Sequence, residues 1–267
     1  MSMKKTEYSL TFYHVLIWNS VSPRKRSLSD TFLENGIGIL VKTCRMAGFN
    51  VIVEDWANES FYKDISPHKL TRLRLLLYKR LLFKKVQKQG ILTKFIGIIA
   101  NANQRLIDIY LNFMMHRRLR CVARRIAREK IIFLGIKVWY GDAFKWSKEL
   151  VKKVNKYSPE TVTIACGAHP TIYQEDLLRH GNFDFTVISE VKHTLLDVLR
   201  IGYNKKTKEE IIASIKKAAE QGELNNLLYR DNGTIKKSVS KKPEMFSKEM
   251  PDMTTKKQST YLRRRNF

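Results

Sequence analysis

The sequence predicts a doubly wound α/β fold: a five-stranded parallel sheet with helices on both faces, a basic helical insertion, and a C-terminal hairpin and tail. Three observations predict it. Short apolar runs alternate with helix-period segments along the chain, the pattern of successive βαβ units. Ile131 to Val138 is nearly continuous in apolar residues, as a parallel strand covered on both faces must be. Two further runs, Val162 to Cys166 and Phe183 to Ser189, end in small residues and pass directly into helices.

Taken in order, Leu10 to Trp18 is rich in β-formers and stops at Asn19-Ser20, which suits a buried first strand followed by a loop through Pro23. Asp30 or Thr31 can cap a helix whose apolar positions Leu33, Ile37, Leu40, Val41 and Cys44 keep the 3.6 period until Gly48 stops it. Val51 to Val53 makes the second strand before Glu54-Asp55, and the crossover between the two strands is expected to be right-handed. From Pro67 to Arg128 the pattern is helical almost throughout, with Gly90 and Gly97 as breaks. Leu70, Leu73, Leu77 and Leu81 form one apolar stripe there, and Leu106, Ile109, Phe113 and Met114 another. Packing on the core is the expected use of both stripes, and docking on a partner or an anionic membrane surface is the alternative.

The third strand exits through Trp139-Tyr140-Gly141-Asp142 into a helix from Phe144 to Tyr157, ended by Ser158-Pro159. Strands four and five follow, with a helix from His193 to Ile201 after the fifth and another from Lys208 to Ala219. Leu227 to Ile235 reads as a hairpin turning at Asn232-Gly233, because two central residues with positive φ suit Asn-Gly. Beyond Ser238 the chain is polar, basic and without periodicity, an extended tail. Residues 1–203 are thus expected to form the α/β domain, with 66–130 as its insertion, and residues 204–267 the helix, hairpin and tail.

The 267 residues, 43% hydrophobic, suffice for one full core. The net charge of +25 is unevenly placed. Between Pro67 and Lys130 there are 17 Lys and Arg against two acids, and from Thr234 to Phe267 there are 10 against three, so these segments carry 22 of the 25 charges. Such surfaces attract acidic partners, which makes a nucleic-acid or anionic-membrane-surface binding protein on an α/β scaffold the rival to any ligand-site reading. Cys44, Cys121 and Cys166 form no metal-ligand spacing and are odd in number, which points to a reducing, cytoplasmic setting. The N-terminal apolar run lacks the features of a signal peptide, and no apolar stretch approaches the roughly 20 residues of a membrane span.

Open α/β sheets bind ligands at the carboxyl ends of their strands. The candidate site residues are accordingly Asn19 and Ser20 after the first strand and Trp139, Tyr140 and Gly141 after the third. Cys166, Gly167, Ala168, His169, Pro170 and Thr171 follow the fourth strand, and Ser189 and Glu190 the fifth. Gly167 can instead be a turn glycine and Thr171 a helix N-cap. The first corner, Trp18 to Pro23, lacks the glycine-rich loop of a nucleotide-binding enzyme.

These motifs together resemble the N-terminal cobalamin (vitamin B12)-binding domain of cobalamin-dependent radical S-adenosylmethionine proteins, a Rossmann-like domain. Its Gly-Gly-Pro-His-Pro/Ala-Thr turn matches Cys166-Gly167-Ala168-His169-Pro170-Thr171, and its Gly-Glu-Gly-Glu turn is replaced by Ser189-Glu190-Val191-Lys192 ahead of a matching Thr194-Leu195-Leu196. The Leu-Gly-x-x-x-Leu helix and Ala-Gly turn match around Ile37 to Val53, and Tyr229 to Gly233 resembles the strand leading toward the radical domain. The resemblance implies a bound cobalamin whose nucleotide tail passes the small residues 166–168, and the candidate residues above as its contacts. It implies no protein histidine on cobalt, because the Asp-x-His-x-x-Gly loop of histidine-ligated carriers is absent after the first strand. The Cys-x-x-x-Cys-x-x-Cys motif that holds the radical domain's four-iron cluster is also absent from the sequence, so neither cluster nor S-adenosylmethionine is expected in this chain. Catalysis would then require a separate radical-domain protein.

Overall fold

The computed structural model describes residues 14–23, 35–84, 90–189 and 191–240. The chain runs β1 (His14–Asn19), α1 (Asn35–Met46), β2 (Asn50–Asp55), α2 (Glu59–Ile65), α3 (His68–Lys84), α4 (Ile91–Arg128), β3 (Phe133–Lys137), α5 (Asp142–Tyr157), β4 (Val162–Cys166), α6 (Ala168–Gly181), β5 (Phe185–Val187), α7 (Val191–Gly202), α8 (Lys208–Glu220), β6 (Leu227–Asp231) and β7 (Thr234–Lys237). The sheet order is β2-β1-β3-β4-β5-β6-β7, parallel through β5 and antiparallel beyond it. The five expected parallel strands are present. The hairpin does not stand apart from them: β6 pairs with β5 and extends the sheet to seven strands. Its turn takes the mirror-image form, with Asn232 at φ 47° and Gly233 at φ 82°.

Strand residues alternate between two cores. Leu16, Trp18, Leu134, Ile136 and Ala165 face the layer of α2, α4, α5 and α6. Val15, Ile17, Phe133, Ile164 and Phe185 face α1, α7 and α8. The inner strands β1, β3 and β4 are therefore covered on both faces, the reason their sequences are mostly apolar.

Three readings of the sequence need correction. Helix α2 was not expected, and it forms because Asn58 caps it by accepting from Phe61 N at 2.8 Å while Phe61, Tyr62 and Ile65 are buried. Gly97 does not break a helix, since α4 runs unbroken for 38 residues through it and a Cβ there would meet open space. The stripe Leu106, Ile109 and Phe113 is not core, nor is Leu73 of the first stripe: all four are exposed, and of the second stripe only Met114 packs partly inward. The buried face of α4 is instead Ile107, Leu111, Met115, Leu119 and Ile126 in the main core, with Ile96 and Ala100 against Leu77 and Leu81 of α3. Leu10–Tyr13, the cap at Asp30 or Thr31, Leu33, Glu190 and the tail after residue 240 lie outside the described residues.

Candidate functional site

After β1 the chain turns to β2 on one side and then crosses to β3 on the other, so the sheet's topological switch point lies between the carboxyl ends of β1 and β3. Helices on either side of that point leave in opposite directions, and the crevice between them is where such sheets bind ligands. The described candidate residues lie along this edge of the sheet, at the carboxyl ends of β1, β3, β4 and β5. Ser20 is buried and closes the floor: its N–H and hydroxyl both donate to Lys137 O, at 3.1 and 2.7 Å, and its Oγ accepts from Trp139 N at 3.0 Å. This hydroxyl is committed to stitching the two strand exits together. Asn19 donates through Nδ2 to Asp55 Oδ1 at 2.9 Å, while its buried Oδ1 has no hydrogen-bond partner.

Gly167 forms the next corner with φ 110° and ψ −165°, a conformation that essentially only glycine adopts. A Cβ there would lie 3.2 Å from Lys137 Cγ and 3.5 Å from Val138 O, so the missing side chain also keeps the β3 exit clear. Ala168 beside it is exposed, and Cys166 is buried with its thiol pushed up to about 12 by desolvation, hence neutral. His169 packs between Phe144 and Tyr173, with ring centroids at 5.3 and 4.4 Å. Its Nδ1 is buried without a partner, and burial holds its pKa below the usual imidazole range, so the ring is neutral at pH 7.

Thr171 is not the N-cap. Its hydroxyl donates back to Gly167 O at 3.0 Å and accepts from Ser189 N at 2.9 Å, tying the β4 corner to the β5 corner. Ser189 sits at φ 61°, an uncommon conformation for a residue with a side chain. Gly141 at φ 65° opens α5, Trp139 is half-buried, Tyr140 is exposed, and Pro170 is buried in the first turn of α6.

The sequence reading missed Lys137. It ends β3 on the same sheet face as Cys166, and its ammonium lies 5.1 Å from the centre of the Trp139 ring. Burial pulls its pKa down to about 8. The signal was a lone lysine at the end of an otherwise apolar strand. A lysine with a folded pKa below its unfolded value of about 10.4 weakens the fold fully below pH 8, and the penalty fades as pH rises from 8 to that value. Lys137→Met should therefore stabilise the protein at pH 7 by about 1–2 kcal/mol after allowance for solvent screening. Thermal midpoints of both proteins at pH 7 and pH 10 check this; the gap must shrink at the higher pH.

Residues 97–199, from within α4 to α7, match the family model of the B12 binding domain. Over these residues, under half of its length, the chain is similar to the B12 binding domain. Among solved structures, the apo, selenomethionine-labelled cobalamin-dependent S-adenosylmethionine radical enzyme OxsB superposes with a TM-score of 0.52 at 13% identity. The match covers 94% of this chain and 25% of that enzyme, so this chain spans about a quarter of its length. That likeness establishes the shared fold. No curated protein matches the chain. No described helix is long and apolar enough to cross a membrane, and the described residues contain no cluster of His, Cys, Asp and Glu able to hold a metal ion.

Proposed function

We propose that the switch-point crevice holds cobalamin and presents it to a separate protein that supplies radical S-adenosylmethionine chemistry. The observation that carries this reading is the Gly167 corner: a glycine-only conformation beside a β3 exit that any side chain would crowd. The residues fit the group in two further respects. Asn19 Oδ1 and His169 Nδ1 are buried polar atoms still open to a partner, and a cofactor rimmed with amides can supply one. Gly167 and Ala168 leave room at the corner, where Cys166 presents only a small neutral side chain.

In this role Asn19 and His169 orient the cofactor's polar rim, and Trp139 and Tyr140 cover its edge. Ser20 holds the exits of β1 and β3 together and Thr171 those of β4 and β5, rather than contacting the ligand. Cobalamin, when bound, supplies a cobalt centre able to carry a methyl group, and the protein's part is to bind and orient it. Neutral His169 packs laterally against aromatics and is assigned to the corrin edge, not to cobalt. The cytoplasm suits a chain with three unpaired thiols, of which Cys44 and Cys166 are buried.

Desalting the protein after mixing with hydroxocobalamin and recording its visible spectrum tests the reading. About one equivalent should stay with the wild type, and little with Gly167→Leu or with Ala168→Trp. The second variant fills the corner from an exposed position without imposing backbone strain. Absence of retention by a folded wild type would sink the proposal.

We infer a second reading from charge alone: 17 Lys and Arg against two acids over residues 67–130 would suit an acidic partner such as nucleic acid or an anionic membrane surface. Heparin retention that persists in moderate salt would support it.

A further inference from the structure

Helix α4 carries two apolar faces. One is buried against the core and α3; the other, on the opposite side of the helix, consists of Ile91, Phe95, Ile98, Ala102, Leu106, Ile109 and Phe113. Its six large side chains are between 53% and 90% exposed, and Ala102 is exposed as well. The spacing is 4, 3, 4, 4, 3, 4, the alternation by which one helix presents a continuous seam to another. The seam is about 33 Å long.

The spacing reads the same in both directions from Ala102, and so does the chemistry. In an antiparallel pair centred there, Ile91 meets Phe113 of the second copy, Phe95 meets Ile109, Ile98 meets Leu106, and Ala102 meets its own equivalent. Two outer layers thus pair an aromatic with isoleucine, and the smallest residue lies where the helices cross. The flanking charges are staggered in the same register. On the shared flank Lys94 lies between Asp108 and Asn112 of the second copy and Arg105 beside Asn101, so no cation faces a cation along the seam. Arg117 and Arg120 continue the face beyond Phe113 and are exposed. An antiparallel pair sends these to opposite ends, whereas a parallel pair would stack each on its equivalent.

We propose that this face of α4 binds the same face of a second copy of this chain, forming a two-fold antiparallel dimer centred on Ala102. Such an isologous contact is closed and self-complementary. Seven exposed side chains of this size present an area on the order of the roughly 800 Å² per partner of a standard interface. A nucleic acid would require cations within the stripe, which holds none.

The test measures the mass of the full chain in solution by light scattering at 10 to 100 µM (on the order of typical dimer affinities), in low and high salt. A dimer is expected, tighter at higher salt because screening relieves repulsion between two strongly positive copies. Binding to lipid or nucleic acid would weaken instead. Ala102→Glu and the double variant Ile98→Asp/Ile109→Asp should halve the mass while keeping the wild-type circular dichroism, since these positions face solvent within each copy, and their thermal midpoint should lose the concentration dependence that a dimer shows. Ala102→Cys in a Cys121→Ser background should form an intermolecular disulfide on mild oxidation, because Cys44 and Cys166 are buried. A wild type that stays monomeric throughout overturns the proposal. So does a dimer indifferent to both variants, or a monomer that floats with phosphatidylglycerol vesicles and loses that binding in the double variant.

Discussion

Replacing Asp184 with alanine should lower the unfolding free energy by about 3–5 kcal/mol, read as a large fall in the urea midpoint. Its carboxylate accepts from Thr163 N at 2.7 Å and Thr163 Oγ1 at 2.8 Å, and Lys208 Nζ lies 2.9 Å away. Thr163 Oγ1 in turn accepts from Asp184 N at 3.1 Å. One side chain thus joins the middle of β4, the entrance to β5 and the first turn of α8. Thr163 is fully buried, so truncation leaves its N–H unsatisfied, and Lys208 keeps only its bond to Thr161 O at 2.9 Å. Asp184→Asn retains an acceptor oxygen and should lose about half as much. An unchanged midpoint in the alanine variant would mean that the carboxylate's desolvation offsets everything it bonds.

Trp18→Ala should cost about 3–5 kcal/mol as well, through the cavity left in a core that cannot collapse around it. Trp18 is fully buried in β1 and meets Trp56 edge-on at 5.2 Å; Trp56 stacks on Phe61 at 4.6 Å, and Phe61 meets Tyr62 edge-on at 5.8 Å. This row of rings holds α2 against the sheet, so the variant should also expose 56–65 to protease. Trp18→Phe is the informative control. The indole Nε1 is buried without a hydrogen-bond partner, so phenylalanine removes an unsatisfied donor along with some packing and should cost about 1–2 kcal/mol. A phenylalanine variant as damaged as the alanine one would show that ring volume, not the orphaned donor, sets the balance.

The strands were legible because β1, β3 and β4 are covered on both faces, which leaves their sequences apolar from end to end. The crevice was legible because small residues gather at 166–168, just past a strand. Three things were not. The roles of Ser20 and Thr171 depend on Lys137 O, Trp139 N and Ser189 N, groups brought within 3.0 Å only by the sheet order, which no local pattern encodes. Gly97 looked like a break because glycine costs a helix about 1 kcal/mol, yet burial of Ile96 and Ala100 on α3 outweighs that. The inner and outer faces of α4 were indistinguishable, since a helix apolar on two opposite sides has no single direction of hydrophobicity from which to infer its orientation.

The hairpin that completes the sheet bears on how copies of this chain meet. β7 is its outermost strand, and an outermost strand is a template on which foreign strands can grow. Here its outward positions are Thr234, Lys236 and Lys237, and Lys236 is held in place by Asp231 Oδ2 at 2.6 Å and Glu220 Oε1 at 3.1 Å. Pinned ammonium groups make that rim a poor place for a second sheet to align, so edge-to-edge fibre growth is disfavoured on that side. Sticky contact between copies is thereby steered away from the hairpin rim and toward helical surfaces.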